Sequence, residues 1–277
     1  MENEVVYIKR DGPVGTIVLN QPRKKNAISA VMMDLLSQSL HTLENEDEIK
    51  VIALRGEGDN FCAGGDLDQP GPKPMTAEFS RQSLRRYLRA IREIRNVSKP
   101  VVALVKGYAV GGAVSMMLAC DLVCLEENAR IIPNFCKIGL VPEMGLMSTL
   151  SAVVGPQKAK EILFFGDRLS AADCLNLGIA NRVFPAESFE NDCGEFLTKL
   201  AALPNLSLRI TKGIMNSAMD TQLAAVMEAE SIGSPFCAQG EEFKAISAKF
   251  QKKYIRRHNV LSKCQRAFFA VGKTPAG

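Results

Sequence analysis

KPVVALVKGYAVGGAVSMMLACDLV, Lys99 to Val123, holds in one run the alternation on which the architecture is read. Val101 to Val105 follows Pro100 as an apolar, β-branched run and reads as a buried strand. Gly107, Gly111 and Gly112 mark a turn, the small residues from Ala113 onward suit a closely packed helix, and Leu122 to Leu125 returns to strand. Strand, turn, helix and strand in this order argue an α/β core.

Upstream, Val5 to Lys9 and Val14 to Leu19 read as a hairpin turned at Asp11, Gly12 and Pro13. Ser29 caps a helix whose Met32, Leu35, Leu36, Leu40 and Leu43 recur at helical spacing, and Val51 to Leu54 is a short buried strand. A further helix is expected around Arg81 to Arg95. Past Gly145 the pattern turns helical, with helices at Gln157 to Phe164, Ala171 to Leu177, Phe189 to Ala202, Ser207 to Met219, Leu223 to Ser231 and Glu241 to Lys252; only Asn181 to Phe184 reads as strand there. The expected architecture is an α/β core over residues 1–200 and a helical region over 201–277, with no linker between them. The irregular QPGPKPM, Gln69 to Met75, suits either a plain surface loop or one that covers a site.

With 277 residues, 47% hydrophobic and 23% charged, the chain can bury a sizeable core, and it holds no apolar run long enough for a membrane span. A net charge of +4 is too mild to demand a nucleic-acid partner. From Lys244 onward, however, Lys244, Lys249, Lys252, Lys253, Arg256, Arg257, Lys263, Arg266 and Lys273 stand without an acid, which suits a solvated tail or a phosphate-bearing ligand. Eight cysteines without a close-paired framework, and a start at MENEVVYIKR without a signal peptide, predict reduced thiols and a cytoplasmic protein. Cys120 and Cys124 could share a metal, but the only histidines are His41 and His258, so no metal site is expected.

Two glycine turns carry chemistry. FCAGGDL, Phe61 to Leu67, follows a strand, and GYAVGGAVS, Gly107 to Ser115, leads into a helix N-terminus, where outward N–H groups favour negative charge. Together they suit an enolate oxyanion; tight helix packing is the plain alternative, and no GxGxxG or GxxxxGK[ST] supports a phosphate loop.

NAIS at Asn26 to Ser29, FCAGGDL, the Lys99 to Val123 stretch and KIGLVPEMG at Lys137 to Gly145 resemble, in order and spacing, the crotonase (enoyl-CoA hydratase/isomerase) family, over about Val5 to Lys253. The resemblance implies a spiral of ββα units, a C-terminal region used in trimerisation, and a homotrimer or dimer of trimers. It also implies an acyl-CoA substrate held by its carbonyl in an oxyanion hole, whose amides fall on Ala63 and Gly112. Coenzyme A enters as part of the substrate, so no separate cofactor is expected. Its binding falls on Arg23, Lys24, Lys25, Ala27, Ala63, Asp66 and Leu67, and the three adjacent cations independently suit several phosphates. Lys249 to Lys253 of a neighbouring subunit is a further expected contributor.

Hydratases of the family use two glutamates; Ser115 and Phe135 occupy those positions here, and neither can act as a carboxylate base. Glu143 aligns instead with the acid that Δ3,Δ2-enoyl-CoA isomerases use to move a proton. Pro142 and Glu143 would also suit the opening of a helix. The resemblance therefore implies an isomerase with Glu143 as proton shuttle. Desolvation by the apolar Phe135, Met144, Leu146 and Met147 would raise its pKa, although these residues also suit the core, the favoured role for Met147. LAALPNLSLRITK, Leu200 to Lys212, resembles the isomerase branch. The alternatives are an unusual hydratase or another crotonase-fold enzyme on a CoA thioester, and an RNA-binding protein on this fold. For the last, the stripe Arg81, Arg85, Arg89, Arg92 and Arg95 speaks, though a solvated helix face is the usual meaning of that pattern and no aromatic platform accompanies it beyond Tyr87.

Overall fold

A computed structural model of the chain describes residues 4–66 and 77–249. The hairpin is β1 (Val6–Asp11) paired antiparallel with β2 (Val14–Leu19). Helix α1 (Ala30–Glu44) starts where expected, the Ser29 hydroxyl accepting the Met32 N–H at 3.2 Å, and buries Met32, Leu36, Leu40 and Leu43. There follow β3 (Val51–Gly56), α2 (Ala77–Asn96), β4 (Val101–Val105), β5 (Tyr108–Val110), α3 (Gly112–Ala119), β6 (Leu122–Glu126) and β7 (Arg130–Ile132). The second half holds α4 (Leu146–Val154), α5 (Pro156–Phe165), β8 (Leu169–Ser170), α6 (Ala171–Asn176), β9 (Arg182–Phe184), α7 (Phe189–Ala201) and α8 (Asn205–Gln239).

The main sheet runs β1-β2-β3-β4-β6-β9 and is parallel from β2 onward. Its centre is apolar on both faces, as a parallel sheet covered by helices requires. Ile52 and Leu54 of β3, with Val101, Ala103 and Val105 of β4, join the large cluster that includes residues of α1, α2 and α3. Val51, Ala53, Val102 and Leu104 point the other way, onto Phe189, Cys193 and Leu197 of α7. A smaller sheet, β5-β7-β8, stands beside the main one and carries the second glycine turn at its edge.

Several expectations change. Asn181 to Phe184 is not the only strand after Gly145: β8 pairs with β7, matching Ile131 to Leu169. The two helices expected at Ser207 to Met219 and Leu223 to Ser231 are one, α8, because Leu223 and Met227 are buried and carry the helix past the polar Asp220, Thr221 and Gln222. Pro142 and Glu143 do not open a helix; α4 begins at Leu146 with Gly145 as its N-cap. Residues 241–249 are helical. The segment Gln69 to Met75 and the chain beyond 249 lie outside the described residues.

Helix α8 packs on α2 and α4. Three arginines of the α2 stripe are ion-paired, Arg89 with Asp34 at 2.6 Å, Arg81 with Glu228 at 3.2 Å and the buried Arg95 with Asp220 at 3.9 Å, while Arg85 and Arg92 are exposed. No described helix is long and apolar enough to cross a membrane.

Candidate active site

The first glycine turn is held by the loop before α1. Asn26 is fully buried in a left-handed conformation (φ 55°). Its side-chain oxygen accepts the Gln21 N–H at 2.8 Å, and its amide nitrogen donates to the carbonyls of Glu57 (3.0 Å) and Asn60 (2.7 Å). One buried side chain thus binds the loop after β2 to the loop after β3, each bond satisfying a backbone group.

Residues 61–66 are then laced to their neighbours. Phe61 donates to Lys106 at 2.8 Å and Cys62 to Tyr108 at 3.0 Å. The Ala63 N–H donates to the Lys25 carbonyl at 2.9 Å, Ile28 donates to Gly64 at 2.7 Å, and Asp66 donates to Ile28 at 3.0 Å. This corrects the expected oxyanion donor, since the Ala63 N–H is spent within the protein. Because Gly64 C=O and Asp66 N–H face Ile28, the N–H of Gly65 points the opposite way, as alternation along an extended chain requires. Among the described residues it meets no acceptor.

The second turn approaches the first closely. A side chain on Gly64 (φ +82°) would strike the Val110 carbonyl at 2.5 Å, so glycine is required on steric and conformational grounds. Gly111, at φ 55° and ψ −119°, donates to the Ile132 carbonyl at 2.8 Å and turns the chain into α3. Gly112 is the first residue of that helix, so its N–H has no intrahelical acceptor. A Cβ on Gly112 would lie 2.9 Å from the Met144 sulfur, which places the turn bearing Glu143 against the start of α3.

These pieces enclose one cavity of about 130 Å³, lined by Ile28, residues 63–65 and 110–112, Tyr87, Asn134, Phe135, Ile138, Leu140, Glu143 and Met144. Glu143 is the one carboxylate among the described residues lining it. Burial raises its pKa, and a hydrogen bond from the Ser234 hydroxyl to Oε1 opposes that rise. Ser115, where a hydratase would carry a glutamate, is buried and donates to the Glu143 carbonyl at 2.8 Å. Phe135 lines the cavity, Leu146 is core, and half-buried Met147 packs against the core. Burial raises the Tyr87 hydroxyl, and the Glu143 charge adds to the rise.

Thus Ala63, Gly112 and Glu143 share one cavity. Arg23, Lys24 and Lys25 are exposed on the loop that leads to it, Lys24 pairing with Asp66 at 2.8 Å and Lys25 lying 5.4 Å from the centre of the Tyr108 ring. Ala27 is buried. Leu67, and 250–253 of the expected Lys249 to Lys253 contribution, lie outside the described residues. Gly65, Tyr87, Asn134, Glu230 and Ser234 belong to the site or its support, and no motif singles them out as functional. For Glu230 and Ser234 the one available sign is a pair of polar residues four apart on a face that also carries Leu223 and Met227.

The family described as Enoyl-CoA hydratase/isomerase matches residues 9–253. The chain is 26% identical to a short-chain-enoyl-CoA hydratase of Clostridium acetobutylicum over 92% of this chain and 98% of that one. It is 31% identical to 4-chlorobenzoyl coenzyme A dehalogenase-2 of Arthrobacter sp, over 84% of this chain and 88% of the relative. Among solved structures, an enoyl-CoA hydratase from Mycobacterium avium subsp. paratuberculosis superposes with a TM-score of 0.82 at 27% identity, covering 90% of this chain and 96% of the other.

Proposed function

The chain belongs to the enoyl-CoA hydratase/isomerase family and has the crotonase fold, and within that family we propose that it converts a 3-enoyl-CoA to a 2-enoyl-CoA with Glu143 as proton shuttle. One observation carries this reading: a single described carboxylate lines a cavity shared with two unpartnered backbone N–H groups, Gly65 and Gly112, while Ser115 and Phe135 offer no second acid.

The thioester oxygen accepts hydrogen bonds from Gly65 and Gly112. Glu143 takes a proton from C2, and the electron pair moves onto the thioester oxygen as an extended enolate. The protonated Glu143 returns the proton at C4, so the C3–C4 double bond becomes C2–C3 and no other reactant is consumed. Two preorganised donors stabilise the charge as it forms. The raised pKa of Glu143 brings the base toward the working pH, where general-base catalysis is most effective. Arg23, Lys24 and Lys25 offer their charge to the coenzyme A phosphates, and self-association through α8 would cover its exposed Leu206, Ile210 and Ile214. The seven described cysteines are free thiols, which fits a cytoplasmic setting.

Several relatives are named as hydratases, and water addition to a 2-enoyl-CoA is the alternative. An assay offering 3-enoyl-CoA and 2-enoyl-CoA separates the two. Isomerisation without 3-hydroxyacyl-CoA is expected, and rapid formation of the hydroxy product would overturn the isomerase.

A further inference from the structure

Helix α8 reaches the base from the distant end of the chain. Lys212 anchors its first half: the buried ammonium pairs with Asp121 at 2.7 Å and donates to the carbonyls of Lys99 (3.0 Å) and Ile94 (3.2 Å). Eighteen residues further on, a rise of about 27 Å at 1.5 Å per residue, the helix meets the Glu143 turn. Leu223 and Met227 pack against Gly145, and two polar side chains, Glu230 and Ser234, four residues apart and therefore on one face, hydrogen-bond to the turn. Both are buried, and neither lines the cavity.

Ser234 donates its hydroxyl to Glu143 Oε1. Glu230 Oε2 accepts the Gly145 N–H at 2.9 Å, and Glu230 Oε1 has no hydrogen-bond partner among the described residues. Between Glu143 and Gly145 stands Met144 at φ 63°, a left-handed conformation that a non-glycine residue keeps only when its surroundings impose it. The helix therefore grips the turn at its side chain and at its backbone.

We propose that Ser234 and Glu230 are positioning residues for Glu143, the serine fixing which carboxylate oxygen is free for the substrate and the Glu230 carboxyl clamping the turn that carries it. The proposal rests on Glu143 being the base. Ser234 hydrogen-bonds the ionised form and lowers its proton affinity, against the burial that raises it. The other titratable groups at this point are Glu230 from α8 and Tyr87 from α2, with Arg86 and Asp66 acting on Tyr87.

The test is steady-state turnover of 3-hexenoyl-CoA by the full chain from about pH 5 to about pH 9, with thermal melts to establish folding. Ser234→Ala should lower kcat about 10- to 100-fold, the worth of a hydrogen bond to a charged group, change KM less than about twofold, and move the acidic limb to higher pH. Ser234→Thr should restore most of the rate. Glu230→Leu should lower kcat by about tenfold, and Glu230→Gln, whose amide oxygen still accepts from Gly145, should recover most of that loss. A folded Ser234→Ala enzyme with unchanged kcat and acidic limb overturns the proposal, as does a Glu230→Leu enzyme equal to the glutamine variant. If Glu230→Leu does not fold, the Ser234 pair decides. Difference infrared spectra against Glu143→Gln read the ionisation of Glu143 without substrate. A wild-type enzyme inert toward 3-hexenoyl-CoA would thus refute the isomerase alone, whereas an unshifted carboxyl band in Ser234→Ala would refute the positioning role.

Discussion

The Ala63 N–H donates to the Lys25 carbonyl at 2.9 Å, and that bond leaves Gly65, two residues along the chain, as the proposed oxyanion donor. Replacing single amides by esters distinguishes the two positions. An ester that removes the Gly65 N–H should lower kcat about 100- to 1000-fold, the usual cost of one oxyanion donor, and leave the melting temperature nearly unchanged. The same change at Ala63 should lower stability by roughly 1 kcal/mol with a much smaller loss of rate.

Glu143→Gln keeps the shape of the side chain and an acceptor for Ser234 while removing the base. Isomerisation should fall about 100-fold or more, with folding and coenzyme A binding retained. Steady-state kinetics beside a thermal melt measure both, and near-wild-type turnover would sink the assignment.

Burial pushes the Glu230 carboxyl up to about 8 from an ordinary 4.5, with the Glu143 charge adding to the shift. The folded protein then holds a proton that the unfolded chain has released. The stability linked to this group is accordingly full below about pH 4.5 and is lost as pH rises toward about 8. Glu230→Gln has no such proton to lose. Its stability relative to wild type should rise across that window by on the order of a few kcal/mol, read from denaturant melts at several pH values.

Lys24 is exposed and pairs with Asp66 at 2.8 Å beside the cavity. Lys24→Glu places a negative charge where phosphates are expected and against Asp66. The KM for an acyl-CoA should rise severalfold and kcat change little, the pattern of lost uniform binding. Unchanged KM in substitutions of Arg23, Lys24 and Lys25 would remove this loop from the binding site.

Leu206, Ile210 and Ile214 repeat every four residues along α8 and are exposed in the single chain. Ile210→Asp combined with Ile214→Asp should reduce the mass measured by light scattering from an oligomer toward a monomer, because an apolar stripe of this kind is stable only when covered. A monomeric wild-type protein would show that the stripe is not an interface.

Elements whose signals are local are legible in the amino-acid sequence. Val101 to Val105 is a strand because β-branched residues follow a proline, α1 begins at Ser29 because a hydroxyl can cap it, and α3 begins at Gly112 after a glycine turn. Resemblance to a family singled out Glu143, which the structure brings to the cavity of the two glycine turns. Other features depend on partners far away in the chain, which only folding brings together. Whether Ala63 or Gly65 keeps a free N–H turns on which one faces the Lys25 to Ile28 segment. Whether α8 breaks near Asp220 turns on the burial of Leu223 and Met227. The grip of Glu230 and Ser234 on the Glu143 turn spans about ninety residues, and no periodicity in either segment encodes it. Backbone donors look alike in a sequence, and packing selects the ones left for a substrate.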